Sequence, residues 1–259
     1  MTFPVALLKF PLNLLLLIIW AALLLMMWKK NRKCGFIRIM LSPAATYWAI
    51  GVFLIFSLII GITGQRSLEK TWPFVIFLLY FQTVLAFVIL RGWRQPTATG
   101  ARLGPLRWRF LFLHVGLLTA IASPFWGAPD SETLLVRSYK DTPVTEAYAE
   151  DGKIRWLDYS LVLNGFVVTY GDDGMPSDYR ADITVDGKQV ELRVNHPYSI
   201  KPGVDLYLSG YDTAYEEFCM LQIVREPWRY GAIVGIIMML TGAFMLFVGG
   251  PRRRNNELD

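Results

Sequence analysis

FLFLHVGLLTAIASPFW, residues 110–126, is the stretch on which the reading of the whole chain turns. It is apolar enough to cross a bilayer, yet it carries one ionisable group, His114. The basic run LRWR, residues 106–109, leads into it, and about a hundred mostly polar residues follow. A helix rises ~1.5 Å per residue, so His114 stands only ~7–8 Å beyond Arg109. With Arg109 at the cytoplasmic interface, the imidazole lies in the inner part of the hydrocarbon. It is the only histidine or acidic side chain in any apolar span of the chain. A lone ionisable group at that depth marks a functional site. The competing reading is a neutral histidine bonded to a hydroxyl or carbonyl of a neighbouring helix, and position alone does not choose between the two.

Working outward, the 259 residues are 54% hydrophobic, with a mean hydropathy of +0.36, outside the range of ordinary soluble domains. Charge is unevenly placed. Residues 125–228 hold 18 acidic and 9 basic side chains, and the rest of the chain holds 3 and 17. The pI of about 9.2 therefore averages two unlike parts. The basic groups flank apolar spans, where a topology signal accounts for them, and no nucleic-acid partner is implied.

Five spans follow from the hydrophobic runs: 8–28, 44–62, 72–90, 110–126 and 230–248. The first could pass for a signal peptide. It is longer than a usual apolar core, carries its basic cluster (Lys29, Lys30, Arg32, Lys33) behind it, and has no small-x-small cleavage site, so a retained helix is expected. The loops after the first and third spans each carry five positive and no negative charges, and Arg252, Arg253 and Arg254 follow the last. The positive-inside rule then places the N-terminus and residues 127–226 outside and the C-terminus inside. Ser42-Pro43 reads as an N-cap and first-turn proline, and Ser123-Pro124 as the end of the fourth span. Gly231, Gly235 and Gly242 fall on one face of the last helix, which would let another helix approach closely.

The expected fold is thus a membrane α-helical bundle of five transmembrane helices with an external mostly-β domain inserted between helices 4 and 5. The divisions are 1–126, 127–226 and 227–259. Residues 160–170 are rich in β-branched and aromatic side chains, and 180–185 meets 188–195 across Asp186-Gly187, a type I′ hairpin signal. Val190, Leu192 and Val194 alternate with polar residues, giving one buried face. Residues 171–176 form a polar turn, and 205–211 and 216–224 supply further strands.

Chemistry-bearing motifs are few. Cys34 and Cys219 fall on opposite sides of the membrane in this topology, and no CxxC or CxxCH occurs, which excludes a thioredoxin-type role and covalent haem attachment to this chain. There is no phosphate-binding glycine loop and no HExxH, so no catalytic residue is assigned. His196, in VNHPYS, sits just past a strand end, where it could contact a ligand, although a surface histidine at such a place ordinarily needs no function. His114 in apolar surroundings suits an axial haem ligand, with iron on a ring nitrogen. Arg109, with Arg107 or Arg102 as further candidates, could meet the propionates. Trp108, Phe110, Phe112 and Tyr80 could line such a pocket or serve as ordinary interfacial and lipid-facing residues. The spans offer no second axial ligand, so it must come from another polypeptide or the iron must be five-coordinate.

Three stretches resemble the ResB-like family of cytochrome c biogenesis proteins, in the short form of Bacteroides-type bacteria. They are RFLFLHVGLLTAIASPFWG (109–127), the external run from LNGFVVTY to YLSGYD (163–212), and EPWRYGAIVGIIMMLTGAFMLF (226–247). The resemblance covers most of residues 107–248. It implies that His114 matches the family's transmembrane haem ligand, so that haem b, transient or shared with a partner, is the cofactor. It also implies a CcsA/ResC-like membrane partner that supplies the second inner histidine, and apocytochrome c as client. The chain departs from the family in having five spans rather than four, a short external domain, and Arg180 where serine is commoner. It lacks the tryptophan-rich haem-handling motif, so it is expected to be no enzyme on its own but part of a haem-lyase complex.

The expected function is a subunit that helps move or hold haem across the inner membrane. The alternative is a membrane-anchored scaffold or chaperone that binds a partner or apocytochrome without haem. A transporter ranks third, because one ionisable group in five spans gives ion coupling little to work with.

Overall fold

The computed structural model describes residues 8–30, 34–64, 66–94, 106–172, 176–211 and 218–249. Arg102, residues 173–175 of the polar turn, and Arg252, Arg253 and Arg254 lie outside the described residues. The chain divides into two compact units, Met1–Pro129 with Trp228–Asp259, and Asp130–Pro227.

The first unit is helical: α1 (Leu12–Lys30), α2 (Gly35–Met40), α3 (Pro43–Thr63), α4 (Trp72–Gly92), α5 (Trp108–Gly127) and α6 (Arg229–Gly249). Among the described residues, all but α2 are long and apolar enough to cross a membrane, which makes five candidate spans. Their outward faces fit that reading: Ile55, Leu58 and Ile62 of α3 and Ile237, Leu240 and Phe247 of α6 are exposed. α1 starts at Leu12 rather than the expected Leu8, because Pro11 has no N–H to bond back to a preceding turn. Ser42 caps α3 as its sequence foretold, its Oγ accepting from the Ala45 N–H at 3.1 Å. α5 does not stop at Ser123-Pro124 but runs on to Gly127 with Pro124 inside its last turn. There the proline forfeits one backbone bond, and Gly127, on which any Cβ would strike the Trp228 side chain, carries the helix close against the chain entering α6.

α4 is the central helix. Phe81, Gln82, Val84, Leu85, Ala86 and Phe87 are buried on it. One cluster joins Phe87 and Ala86 to Leu24 of α1 and Ile37 of α2, and another joins Phe81 and Leu85 to Ala49 of α3. Leu117, Leu118 and Ile121 of α5 pack onto these clusters. The short α2, which the basic loop did not announce, owes its place to Ile37, which is fully buried. Polar bonds tie the same helices. Asn13 Nδ2 donates to the Trp126 carbonyl at 2.9 Å, and Trp126 Nε1 donates to Gln82 Oε1 at 3.1 Å.

α5 and α6 meet through small residues. A Cβ on Gly116 would stand 2.8 Å from the Gly235 carbonyl, and one on Gly242 would stand 2.8 Å from Leu113 Cγ. At Gly235 it would strike Ala120, and at Gly231 Ser123. The three-glycine face of the last helix is therefore where α5 lies.

The second unit is one antiparallel sheet of eight strands among the described residues, in the order β5-β4-β3-β2-β1-β8-β7-β6. The strands are β1 (Glu132–Tyr139), β2 (Val144–Ala149), β3 (Ile154–Tyr170), β4 (Pro176–Val185), β5 (Lys188–Arg193), β6 (Tyr198–Lys201), β7 (Val204–Tyr211) and β8 (Phe218–Arg225). The β4–β5 hairpin turns at Asp186 (φ 48°) and Gly187 (φ 83°), the positive-φ pair a type I′ turn requires. Leu134, Val136, Leu161, Ile183, Leu192 and Leu221 are fully buried in a single core. The sheet curls round that core until its edge strands approach, with Lys188 Nζ 5.4 Å from the Tyr198 ring. Leu192 is buried and Val190 packs at the margin, but Val194 lies beyond β5 and is exposed, so the expected inward row ends one residue pair early.

Candidate functional site

The helical period of α5 sorts its side chains into two rows. Leu113, Gly116, Ala120 and Ser123 meet α6, whereas Leu117, Leu118 and Ile121 meet the clusters built on α4. His114 falls in the middle of the α4 row, and it is half-buried. It therefore looks into the bundle and not toward the helix that α5 packs most closely.

Its nearest partner is one turn back. His114 Nδ1 lies 2.9 Å from the Phe110 carbonyl oxygen. A carbonyl only accepts, so Nδ1 must carry the proton, and in the neutral ring the lone pair is left on Nε2. This is the tautomer a metal-binding imidazole needs, with the donor on the opposite nitrogen fixing the ring and raising ligand basicity. The Phe110 and His114 rings are also stacked, centroids 3.9 Å apart and planes 25° from parallel.

Phe110 is in turn held from two sides. Its ring tip occupies the space a side chain on Gly92 would fill, a Cβ there being 2.5 Å from Cζ. The Arg107 guanidinium carbon lies 4.9 Å from its ring centroid, and Arg107 Nη1 donates to the Gly92 carbonyl at 3.3 Å. Arg107, Phe110 and His114 thus form one column at positions i, i+3 and i+7. Arg109 stands about 140° round the helix from His114, given 3.6 residues per turn. It shares the α6 row with Leu113. Of the arginines that the sequence offers for carboxylates, the structure brings Arg107 to the histidine's column and leaves Arg109 on another face.

The aromatic candidates separate as well. Phe110 touches the histidine, Trp108 packs on Phe112 at 6.4 Å, and Tyr80 donates to the Ala45 carbonyl of α3 at 3.2 Å. His196 is exposed in the turn after β5, its backbone N–H donating to the Arg193 carbonyl at 3.1 Å. No group of three or more His, Cys, Asp or Glu suited to a metal ion occurs among the described residues. Gly92 is the contributor the sequence reading passed over. Its signal, a glycine in the last turn of an apolar helix, reads equally as a helix stop.

Residue types and geometry fit haem at one axial position only. The imidazole presents the right tautomer among apolar side chains, and Arg107 offers a guanidinium on the same column. The described spans hold no second histidine.

Comparison with known proteins bears on the same region. No curated protein matches the chain. A solved structure titled Cytochrome c Heme Lyase CcmF is similar at 16% identity with a TM-score of 0.38, over 74% of this chain and 33% of that one. The chain thus spans about a third of that protein's length. Residues 99–218 match the ResB-like family. The matched part takes in all of α5, with Arg107, Phe110 and His114, and the sheet to the first residue of β8, while α6 falls outside it. Over residues 99–218, a little under half of its length, the chain is therefore similar to the ResB-like family.

Proposed function

We propose that this protein is the haem-holding subunit of a cytochrome c assembly complex, with His114 as one axial ligand. The observation that carries the reading is the Nδ1–H bond to the Phe110 carbonyl, which leaves the Nε2 lone pair on the inward row of an apolar helix. Bound haem supplies an iron that takes an imidazole nitrogen and two carboxylates that take guanidinium groups. The chain's own residues hold the ring: Phe110 stacks on it and orients it, Gly92 makes room for Phe110, and Arg107 places a positive charge at the helix entrance. The second axial ligand comes from a CcsA-like membrane partner, and apocytochrome c is the client. The chain acts as a subunit beside the lyase activity rather than as the lyase. The complex sits in a bacterial inner membrane with the sheet on the periplasmic side.

The test is the absorption spectrum of the complex purified after co-expression with a CcsA-like partner. H114A is expected to lose most of the haem, and H114C to retain haem with a shifted Soret band. Wild-type occupancy and coordination in H114A would remove the ligand role.

A second reading, a scaffold that holds client or partner without haem, is favoured by the outward face of the sheet. Leu135 pairs with Tyr148 and Tyr148 with Ile154, all exposed, beside Trp156, whose relative exposure is 73%. W156A together with Y148A should then weaken client capture while haem content stays unchanged.

A further inference from the structure

At the foot of the histidine column, lined by Arg107 and Phe110 but not by His114, is an open cleft of about 710 Å³ at the ends of α3, α4 and α5. Three arginines line it: Arg91, Arg94 and Arg107. Its apolar wall is Leu41, Pro43, Val88 and Phe110. No carboxylate is among the lining residues. In the helical unit the one acid among the described residues is Glu69, which precedes α4 and so stands a helix length of roughly 30 Å from Arg91. Two of the guanidinium groups are also held in place. Arg94 stacks on Trp93 at 4.4 Å, and Arg107 is fixed by the Gly92 carbonyl and the Phe110 ring. The first turn of α3, with its positive end, adds charge of the same sign.

Three cations converging on an apolar-walled opening at helix ends call for an anion joined to a hydrocarbon body. We propose that this cleft binds the headgroup phosphate of an anionic phospholipid, its glycerol and upper acyl chain lying along Val88, Leu41 and Phe110. Guanidinium forks match phosphate oxygens, and basic pockets between membrane helices at the cytoplasmic side take such headgroups. The inference shares Arg107 and Phe110 with the proposed haem site but does not need the iron ligand, since His114 does not line the cleft.

The full chain, purified in mild detergent and freed of bound lipid, is titrated with dioctanoyl-phosphatidylglycerol, dioctanoyl-phosphatidylcholine or inorganic phosphate while tryptophan fluorescence follows thermal unfolding. Phosphatidylglycerol is expected to raise Tm at concentrations where the other two do not. In R91Q/R94Q/R107Q its apparent affinity should fall by at least about tenfold. Val88→Trp fills the cleft without touching an arginine and should lose the same response, which guards against a triple variant that folds badly. An equal response to phosphatidylcholine, or an unchanged response in both variants, overturns the proposal. A full response to inorganic phosphate makes this a free-anion site and overturns the lipid assignment.

Discussion

At His114 the decisive group is a backbone carbonyl, that of Phe110, and not a side chain. No substitution at residue 110 removes it, since every residue keeps its backbone carbonyl, so the tautomer and the ring stack can be tested separately. A stacked aromatic pair contributes about 0.5–1.5 kcal/mol beyond its buried area. Phe110→Ala should therefore weaken haem retention in the partner complex by roughly two- to tenfold while the Soret position stays that of the wild type. H114A, by contrast, should remove the band or move it. Measuring both variants separates a residue that positions the ring from the ring that binds. If Phe110→Ala displaces the band as far as H114A does, the phenyl ring has more than a positioning role. The choice between Arg107 and Arg109 belongs to the same scale. From sequence both stand beside the histidine. In the structure, contacts with the Phe110 ring and the Gly92 carbonyl put Arg107 on the ring's column, while the helical period puts Arg109 on the α6 side.

At the scale of elements, the α5–α6 pair is the tightest helix contact and the one most open to a steric test. Lipid tails give helices no hydrophobic reason to associate, so close backbone approach through small residues does the holding. Gly116→Val puts its Cβ against main-chain atoms of α6, the Gly235 carbonyl and the Met239 nitrogen, each 2.8 Å away, and neither can rotate aside. Overpacking of this kind costs about 1–3 kcal/mol or more. The expected result is a clear fall in Tm in detergent, whereas Gly61→Val on α3, where nothing lies within 4 Å, should change little. The long elements were legible because their signals are local: hydrophobic length for the spans, Ser42-Pro43 for a helix start, Asp186-Gly187 for a hairpin. What escaped depends on partners. β2 reads VTEAYA, with two alanines and a glutamate, and is a strand because it lies between β1 and β3. β6 is four residues long and exists through its pairing with β7. β1 hid in a segment that begins with a polar loop, and α2 forms round one buried isoleucine. At the candidate site the histidine was plain in the sequence, but the Gly92–Phe110 contact joins residues on two helices and no local pattern reports it.

For the whole molecule, the arrangement of spans makes a prediction that does not depend on haem at all. Between Cys34 and the sheet the chain runs through α3, α4 and α5, three candidate crossings, and if all three cross, an odd number is expected to leave the two on opposite sides of the membrane. The loop charges predict Cys34 on the inside. Nature has supplied a clean pair of thiols for the test. Cys34 is exposed, while Cys219 is fully buried in the sheet core, where burial pushes its thiol up to about 12. Since the thiolate is the nucleophile, Cys219 should stay unlabelled at neutral pH until the sheet unfolds. A membrane-impermeant maleimide added to intact spheroplasts is therefore expected to leave the wild-type chain unmodified. The same reagent should label Cys34 once the membrane is opened. Thr145→Cys, at an exposed position of β2, should label before opening. Labelling of Cys34 in intact spheroplasts together with silence of Thr145→Cys inverts the topology and moves His114 from the inner to the outer half of the bilayer. The chain would then receive haem from the opposite face, and a cytoplasmic supply would no longer account for the ligand's depth.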